Sequence, residues 1–263
     1  MKYTRIFFLI LICVSFSGYS QYKELIVSYD KKEFVNDQGS MPYAILLPEN
    51  YDSSKKYPML LFLHGAGERG NDNESQLLHG SALFTSASFR KNYPAIVVFP
   101  QCEKGDYWSN VKKEKPLDGG ATFSFYRRGK PTKAMTLVQN LLDELLENLP
   151  VDKDRLYVGG LSMGGMGTFE IVRRNPRLFA AAFPICGGAA PKGFRKYKRP
   201  AWWVFHGLAD PVVPYQFSTE MVKGLEKVKV QPRYSLYQGV GHNSWDNAFK
   251  ETSLFPWLFS QSK

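Results

Sequence analysis

The chain has 263 residues, 44% of them hydrophobic, with 16 prolines, three cysteines and a formal net charge of +10. Length and apolar fraction fit one globular domain, and the lack of a fixed internal period or a Gly-, Ser- or Pro-rich tract excludes repeat arrays and low-complexity linkers. The positive excess suits polyanions, but the basic residues are not interleaved with a nucleic-acid-binding signature, so no nucleic-acid partner is expected. In chain order, Lys2 and Arg5 precede an apolar run from Ile6 to Phe16, then Ser17, Gly18, Tyr19 and Ser20. That is the make-up of a secretory signal peptide over residues 1–20. Its run of about eleven apolar residues falls well short of the roughly twenty that a membrane-spanning helix needs. Cleavage after Ser20, a secreted (periplasmic or extracellular) product and no stable membrane insertion are therefore expected. Ile12 stands where a lipoprotein peptidase requires a small residue, which discounts lipidation at Cys13.

From Tyr22 onward, short apolar or β-branched runs alternate with helix-period segments, the pattern of a mostly parallel sheet with helices on both faces. Glu24–Ser28 and Tyr43–Leu47 read as an opening antiparallel pair. Pro58–Leu63, Ala95–Phe99, Leu156–Val158, Ala180–Phe183, Trp202–Phe205 and Arg233–Tyr237 follow as strands buried on both faces, eight in all. Met135, Val138, Leu141, Leu142, Leu145, Leu146 and Leu149 recur at three- and four-residue spacing and mark a helix that Pro150 stops. Further helices are expected from just after Ser162 to before Pro176, over Tyr215–Lys227, and over Trp245–Phe259 with a kink or break at Pro256. Residues 103–132 fit neither template and read as a long irregular insertion.

The strongest chemical signal is Gly160-Leu161-Ser162-Met163-Gly164, directly after a strand and before a helix. A nucleophile on so sharp a turn crowds its neighbours, so the flanking positions must lack side chains, and the turn lifts the hydroxyl above the carboxyl edge of the sheet. A serine hydroxyl needs a base, and on this kind of turn the partners follow in the order serine, acid, histidine. Only His206 and His242 lie beyond Ser162. His206 is excluded, because the one carboxylate between it and Ser162 is Glu170, inside the helix that follows the serine. For His242 the possible acids are Glu170, Asp210, Glu220 and Glu226, and Asp210 alone follows a strand end closely. Ser162, Asp210 and His242 are thus the expected catalytic triad. The oxyanion of an acyl-transfer intermediate needs preorganised donors. The amide of Met163, at a helix N-terminus, is one; the other is expected in His64-Gly65-Ala66-Gly67, at Ala66 with Gly65 as its neighbouring alternative. His64 itself reads as a structural residue of that loop.

Tyr57-Pro58, Leu63-His-Gly-Ala-Gly-Glu-Arg-Gly70, Phe99-Pro-Gln-Cys102 with Trp108, Gly160-Leu-Ser-Met-Gly-Gly165, Phe179-Ala-Ala-Ala-Phe-Pro-Ile-Cys-Gly187, His206-Gly207 with Asp210, and Gly241-His-Asn-Ser-Trp245 carry a resemblance. Across nearly all of residues 21–263, the chain resembles the secreted carboxylesterase and feruloyl-esterase-like branch of the α/β-hydrolases, near dienelactone hydrolases and prolyl-oligopeptidase-type enzymes. The resemblance implies one α/β-hydrolase catalytic domain, an ester substrate and a cofactor-free, metal-free acyl-enzyme mechanism. No HExxH, paired CxxC or Walker run argues otherwise. It further implies that Gln101, Trp108 and Trp245 line the substrate pocket. The family strand order sets two strands between Cys102 and Cys186. Three spacings of about 4.8 Å exceed any disulfide reach, so both are expected as free thiols.

The leading reading is a carboxylic-ester hydrolase acting on a small-molecule or oligosaccharide ester outside the cytoplasm. A peptidase or phospholipase of the same fold, and a catalytically silent binding module, are the alternatives. In 103–132, Lys104, Lys112, Lys113, Lys115, Arg127, Arg128 and Lys130 outnumber Glu103, Asp106, Glu114 and Asp118, and a second basic run covers 195–199. If the insertion borders the mouth of the site, an anionic substrate is expected.

Overall fold

The computed structural model of the chain describes residues 28–114 and 122–263. The leader at 1–20 lies outside them, as do residues 24–27 of the first expected strand. The strands are β1 (Asp30–Asn36), β2 (Gly39–Leu46), β3 (Tyr57–Leu63), β4 (Ile96–Pro100), β5 (Val111–Glu114), β6 (Thr122–Phe125), β7 (Val151–Leu161), β8 (Ala181–Ile185), β9 (Ala201–Gly207) and β10 (Arg233–Tyr237). Eight of them form one sheet in the order β1-β2-β4-β3-β7-β8-β9-β10, and β5 with β6 makes a separate pair. From β4 to β10 every neighbouring pair is parallel, whereas β2 runs antiparallel to both β1 and β4. This is the expected α/β-hydrolase architecture.

Alternation along the buried strands feeds a core on each face. Met59, Leu61 and Leu63 of β3 join Ile96 and Val98 of β4 on one side; Leu60 and Phe62 join Val97 and Phe99 on the other. Each such side chain stabilises the fold by about 1.5–3 kcal/mol on burial, so neither face tolerates polar residues and the runs read as continuously apolar. The helices are α1 (Ser81–Thr85), α2 (Ala87–Asn92), α3 (Lys133–Asn148), α4 (Met163–Arg174), α5 (Gln216–Lys227), α6 (Trp245–Ala248) and α7 (Leu254–Phe259). Side chains of α3, α4 and α5 enter the first core, and those of α1, α2 and α7 the second. α3 starts where the Thr132 hydroxyl accepts the Met135 amide at 3.1 Å and ends before Pro150. None of the described helices is long and apolar enough to cross a membrane.

Three expectations need correction. The opening strand is Asp30–Asn36, joined to β2 by a turn at Asp37 and Gln38, while Ser28 lies in a turn. Only Phe34 of β1 is buried; its charges suit an exposed sheet edge, which they protect from further pairing, and they leave no apolar run to read. The C-terminal helix is two short ones, with Pro256 in the first turn of α7, where a missing N–H costs nothing. The insertion 103–132 is not wholly irregular: β5 and β6 pair antiparallel, and Phe123 packs with Met166 of α4 and with Val213. Cys102 follows β4 and Cys186 follows β8, with β3 and β7 between them; both are buried free thiols.

Candidate active site

Strand β7 delivers Ser162 to the carboxyl edge with φ 54° and ψ −115°. A serine at positive φ is strained, and the surroundings hold it there: its amide donates to Ile185 O at 2.9 Å and its carbonyl accepts from Met166 N at 3.0 Å. The flanking glycines are required by close approach. A Cβ on Gly160 would stand 2.6 Å from Leu63 O, and one on Gly164 would overlap that same carbonyl. The turn therefore closes only on β3, the strand beside it.

His242 lies after β10 and Asp210 after β9. His242 Nε2 is 2.9 Å from Ser162 Oγ, and His242 Nδ1 is 2.8 Å from Asp210 Oδ2. The Asp210 side chain is fully buried and the His242 side chain 20% exposed, so His242 is the more open to solvent of the two. Burial alone would raise the Asp210 pKa. Hydrogen bonds from His206 and His242 and from the Val213 amide outweigh it and hold the carboxyl well below the usual range. An ionised Asp210 fixes the proton of neutral His242 on Nδ1 and leaves Nε2 free to accept from the serine.

Met163 opens α4, so its N–H lies in the first turn with no intrahelical acceptor. Ala66 opens a short 3₁₀ turn, Ala66–Glu68, in the loop after β3. A Cβ on Gly65 would stand 3.6 Å from Ser162 Cβ, which sets this loop directly beside Ser162. His64 braces it. Its Nε2 accepts the Cys102 amide at 2.9 Å, so the ring proton is on Nδ1, 2.6 Å from Gly65 O. Burial lowers its pKa to about 4, which keeps it neutral and without a role in proton transfer.

The residues expected on the pocket wall divide. Trp245 stands beside His242, its ring edge-on to the imidazole at 5.5 Å. Gln101 and Trp108 are closed off from solvent. The Gln101 carboxamide is spent on Asn73 N, Glu68 O and Asp72 Oδ1, and Trp108 Nε1 donates to His64 O. Both brace the loop that carries Ala66 and leave no polar atom for a ligand. Three neighbours escaped the sequence reading. His206 Nε2 stands 3.2 Å from Asp210 Oδ2, a contact hidden because the order of residues disqualified His206 as a base. His79 packs on Trp245 at 5.1 Å and lies 3.7 Å from the mostly buried Glu68; a lone loop histidine carries no motif, although Glu68 follows the glycine loop directly.

Cys186, Asp210 and His242 are the one grouping of metal-ligating atoms among the described residues, all within 4.8 Å of one another. The Asp210 oxygens are committed to hydrogen bonds. Burial, then the Asp210 charge, push the Cys186 thiol far above its usual pKa.

Residues 50–255 match the family model described as phospholipase/carboxylesterase. Among solved structures, a thermostable esterase is 33% identical with a TM-score of 0.82, covering 91% of this chain and 64% of its own. A bifunctional acetylxylan esterase/xylanase of Neocallimastix patriciarum is 29% identical over 160 residues, 60% of this chain and 20% of that protein. A probable feruloyl esterase C of Aspergillus oryzae is 22% identical over 223 residues, covering 83% and 73%. The chain thus spans about a fifth of the Neocallimastix enzyme and under two thirds of the thermostable esterase.

Proposed function

Because this chain belongs to the phospholipase/carboxylesterase family, we propose that it is a secreted serine esterase that cleaves carboxylic esters through an acyl-enzyme on Ser162. The observation that carries this reading is the line Ser162 Oγ, His242, Asp210, with contacts of 2.9 and 2.8 Å. His242 Nε2 takes the serine proton as Oγ attacks the ester carbonyl. The imidazolium that forms is stabilised by Asp210, and the oxyanion is received by the amides of Met163 and Ala66, each such donor worth roughly 3–4 kcal/mol. The protonated Nε2 then passes its proton to the departing alcohol, leaving the acyl group on Ser162. Water enters on the same side and attacks the acyl carbon as Nε2 takes its proton; the intermediate then collapses, Nε2 passes that proton to the departing Ser162 Oγ, and the acid is released. All groups in this cycle belong to the chain, so no cofactor or metal enters it.

The substrate is read as a polysaccharide-derived ester outside the cytoplasm. Support comes from the leader-like composition of residues 1–20 and from relatives described as acetylxylan and feruloyl esterases. The test is a panel of p-nitrophenyl esters of rising chain length, run beside methyl ferulate and a peptide anilide. Turnover of esters with none of the anilide is expected; cleavage of the anilide alone would replace the esterase by a peptidase.

A further inference from the structure

Two basic runs far apart in the sequence meet on the surface. Arg127 and Arg128 follow β6, at the end of the hairpin in the insertion, whereas Lys192, Arg195 and Lys196 lie between β8 and β9; together they line one concavity with Arg173. The two segments touch. Arg127 crosses Gly193, its Cδ and one terminal nitrogen each 3.5 Å from where a Cβ would stand. No carboxylate lines the concavity. Glu170, in a small neighbouring cavity, is already held by Arg173 at 2.7 Å and Arg174 at 2.6 Å. Among the described residues, none of the other five cations forms an ion pair. Five like charges around one hollow repel each other, and an anion placed among them relieves that cost.

The hollow opens onto a groove that shares Arg127, Arg128 and Lys192 and is floored by Phe123, Phe125 and Phe217, with Glu220 also on its wall. Phe123 packs on Met166 and Val213. The amides of those two residues bond Ser162 O and Asp210 Oδ1. The floor of the groove thus clusters with two residues whose backbones are hydrogen-bonded to Ser162 and Asp210. The lysines of β5 are committed elsewhere: Lys112 pairs with Glu114 at 3.0 Å, and Lys113 lies over the Phe123 ring.

We propose that this hollow is an exosite for the acidic groups, carboxylate or sulfate, of a polysaccharide chain that bears the ester. It rests on the polysaccharide-esterase reading above. Guanidinium groups grip such groups through paired N–H donors, and the adjoining aromatic floor offers sugar rings an apolar face. The charges hold the polymer beside the triad while small esters reach Ser162 without them.

The test compares the wild type, the triple variant Arg127→Ser, Arg128→Ser, Arg195→Ser, and a control with equal charge loss at the exposed Lys91, Lys153 and Lys250, each changed to Ser. Binding of polygalacturonate, neutral arabinoxylan and single-stranded DNA is measured at 0.1 M and 1 M NaCl, and p-nitrophenyl acetate turnover reports folding. Three exposed contacts predict polygalacturonate binding about tenfold weaker in the exosite variant at low salt. The same loss is expected in the wild type at 1 M NaCl, where the Debye length falls to about 3 Å. The control triple should bind as the wild type, arabinoxylan binding should not change, and p-nitrophenyl acetate turnover should stay within twofold. Equal polygalacturonate binding by the exosite variant, an equal loss in the control, or tighter binding of DNA would overturn the proposal. If polygalacturonate binds as expected but no ester is turned over, the exosite stands and the esterase reading fails.

Discussion

His206 Nε2 stands 3.2 Å from Asp210 Oδ2, the same oxygen that takes His242 Nδ1 at 2.8 Å, so one buried carboxylate oxygen is shared by two imidazoles. His206 is fully buried, its Nε2 also 2.9 Å from Val213 O and its other nitrogen 2.7 Å from Ser218 Oγ. It acts on the reaction only through Asp210, as a positioning residue. His206→Ala is expected to lower kcat about tenfold, near 1.4 kcal/mol, and to lower the melting temperature, whereas His242→Ala should cost about 10⁶-fold. His206→Gln, which keeps a donor, should recover part of kcat. Loss in His206→Ala as deep as in His242→Ala would make His206 the base.

The glycines at the turn provide a paired stability test. Gly164→Ala drives a methyl into Leu63 O, while a methyl at Gly67 meets nothing within 4 Å. Gly164→Ala is expected to destabilise by about 3 kcal/mol or more and to abolish turnover, and Gly67→Ala to leave both near wild type. Denaturant melts of the two proteins check this; equal stability would mean that the turn closes differently.

Trp245 and Gln101 separate binding from scaffolding. Trp245, beside His242 and packed in part against the second core, should raise KM when changed to Ala, with a smaller loss of melting temperature. Gln101→Ala takes the carboxamide from the Asn73 amide and from the carbonyl of buried Glu68, at about 1–3 kcal/mol for each buried group left unsatisfied, so its main effect should be on stability. Steady-state kinetics beside thermal melts decide it. A raised KM at unchanged stability in Gln101→Ala would return that residue to the pocket wall.

His64 gives the fold a pH signature. Its pKa falls from 6.5 to about 4 on burial, so between those values the unfolded chain binds the extra proton and stability rises with pH. The contribution is complete above pH 6.5 and lost progressively as pH falls to about 4, a span worth about 3 kcal/mol. Denaturation from pH 4 to 7 should show a slope that His64→Asn flattens. Equal slopes in the two proteins would place His64 in contact with solvent.

The sheet was legible where strands are buried on both faces, since there the core leaves no alternative to an apolar run; Arg233–Tyr237 was legible as a strand too, but it is an edge strand with no buried residue rather than one buried on both faces. It was illegible at Asp30–Asn36 and Val111–Glu114, where one or no face is buried and charges dominate. The meeting of Ser162, His242 and Asp210 was legible because a strained turn, a fixed chain order and a carboxylate at a strand end constrain one another. Gln101 and Trp108 misled for a physical reason: a polar or aromatic residue near the nucleophile looks the same in sequence whether it faces the ligand or braces the loop behind it. The meeting of Arg127 with the segment around Gly193 was hidden because only the folded sheet brings them together.

The central claim, an activated Ser162, is tested most directly by labelling the folded protein with a fluorophosphonate and mapping the adduct by peptide mass spectrometry. A single adduct on Ser162 is expected, absent from Ser162→Ala and nearly absent from His242→Ala, with p-nitrophenyl acetate turnover falling about 10⁶-fold in both and less in Asp210→Asn. No adduct in the folded wild type, an adduct on another residue, or more than a few per cent of activity left in Ser162→Ala would contradict it.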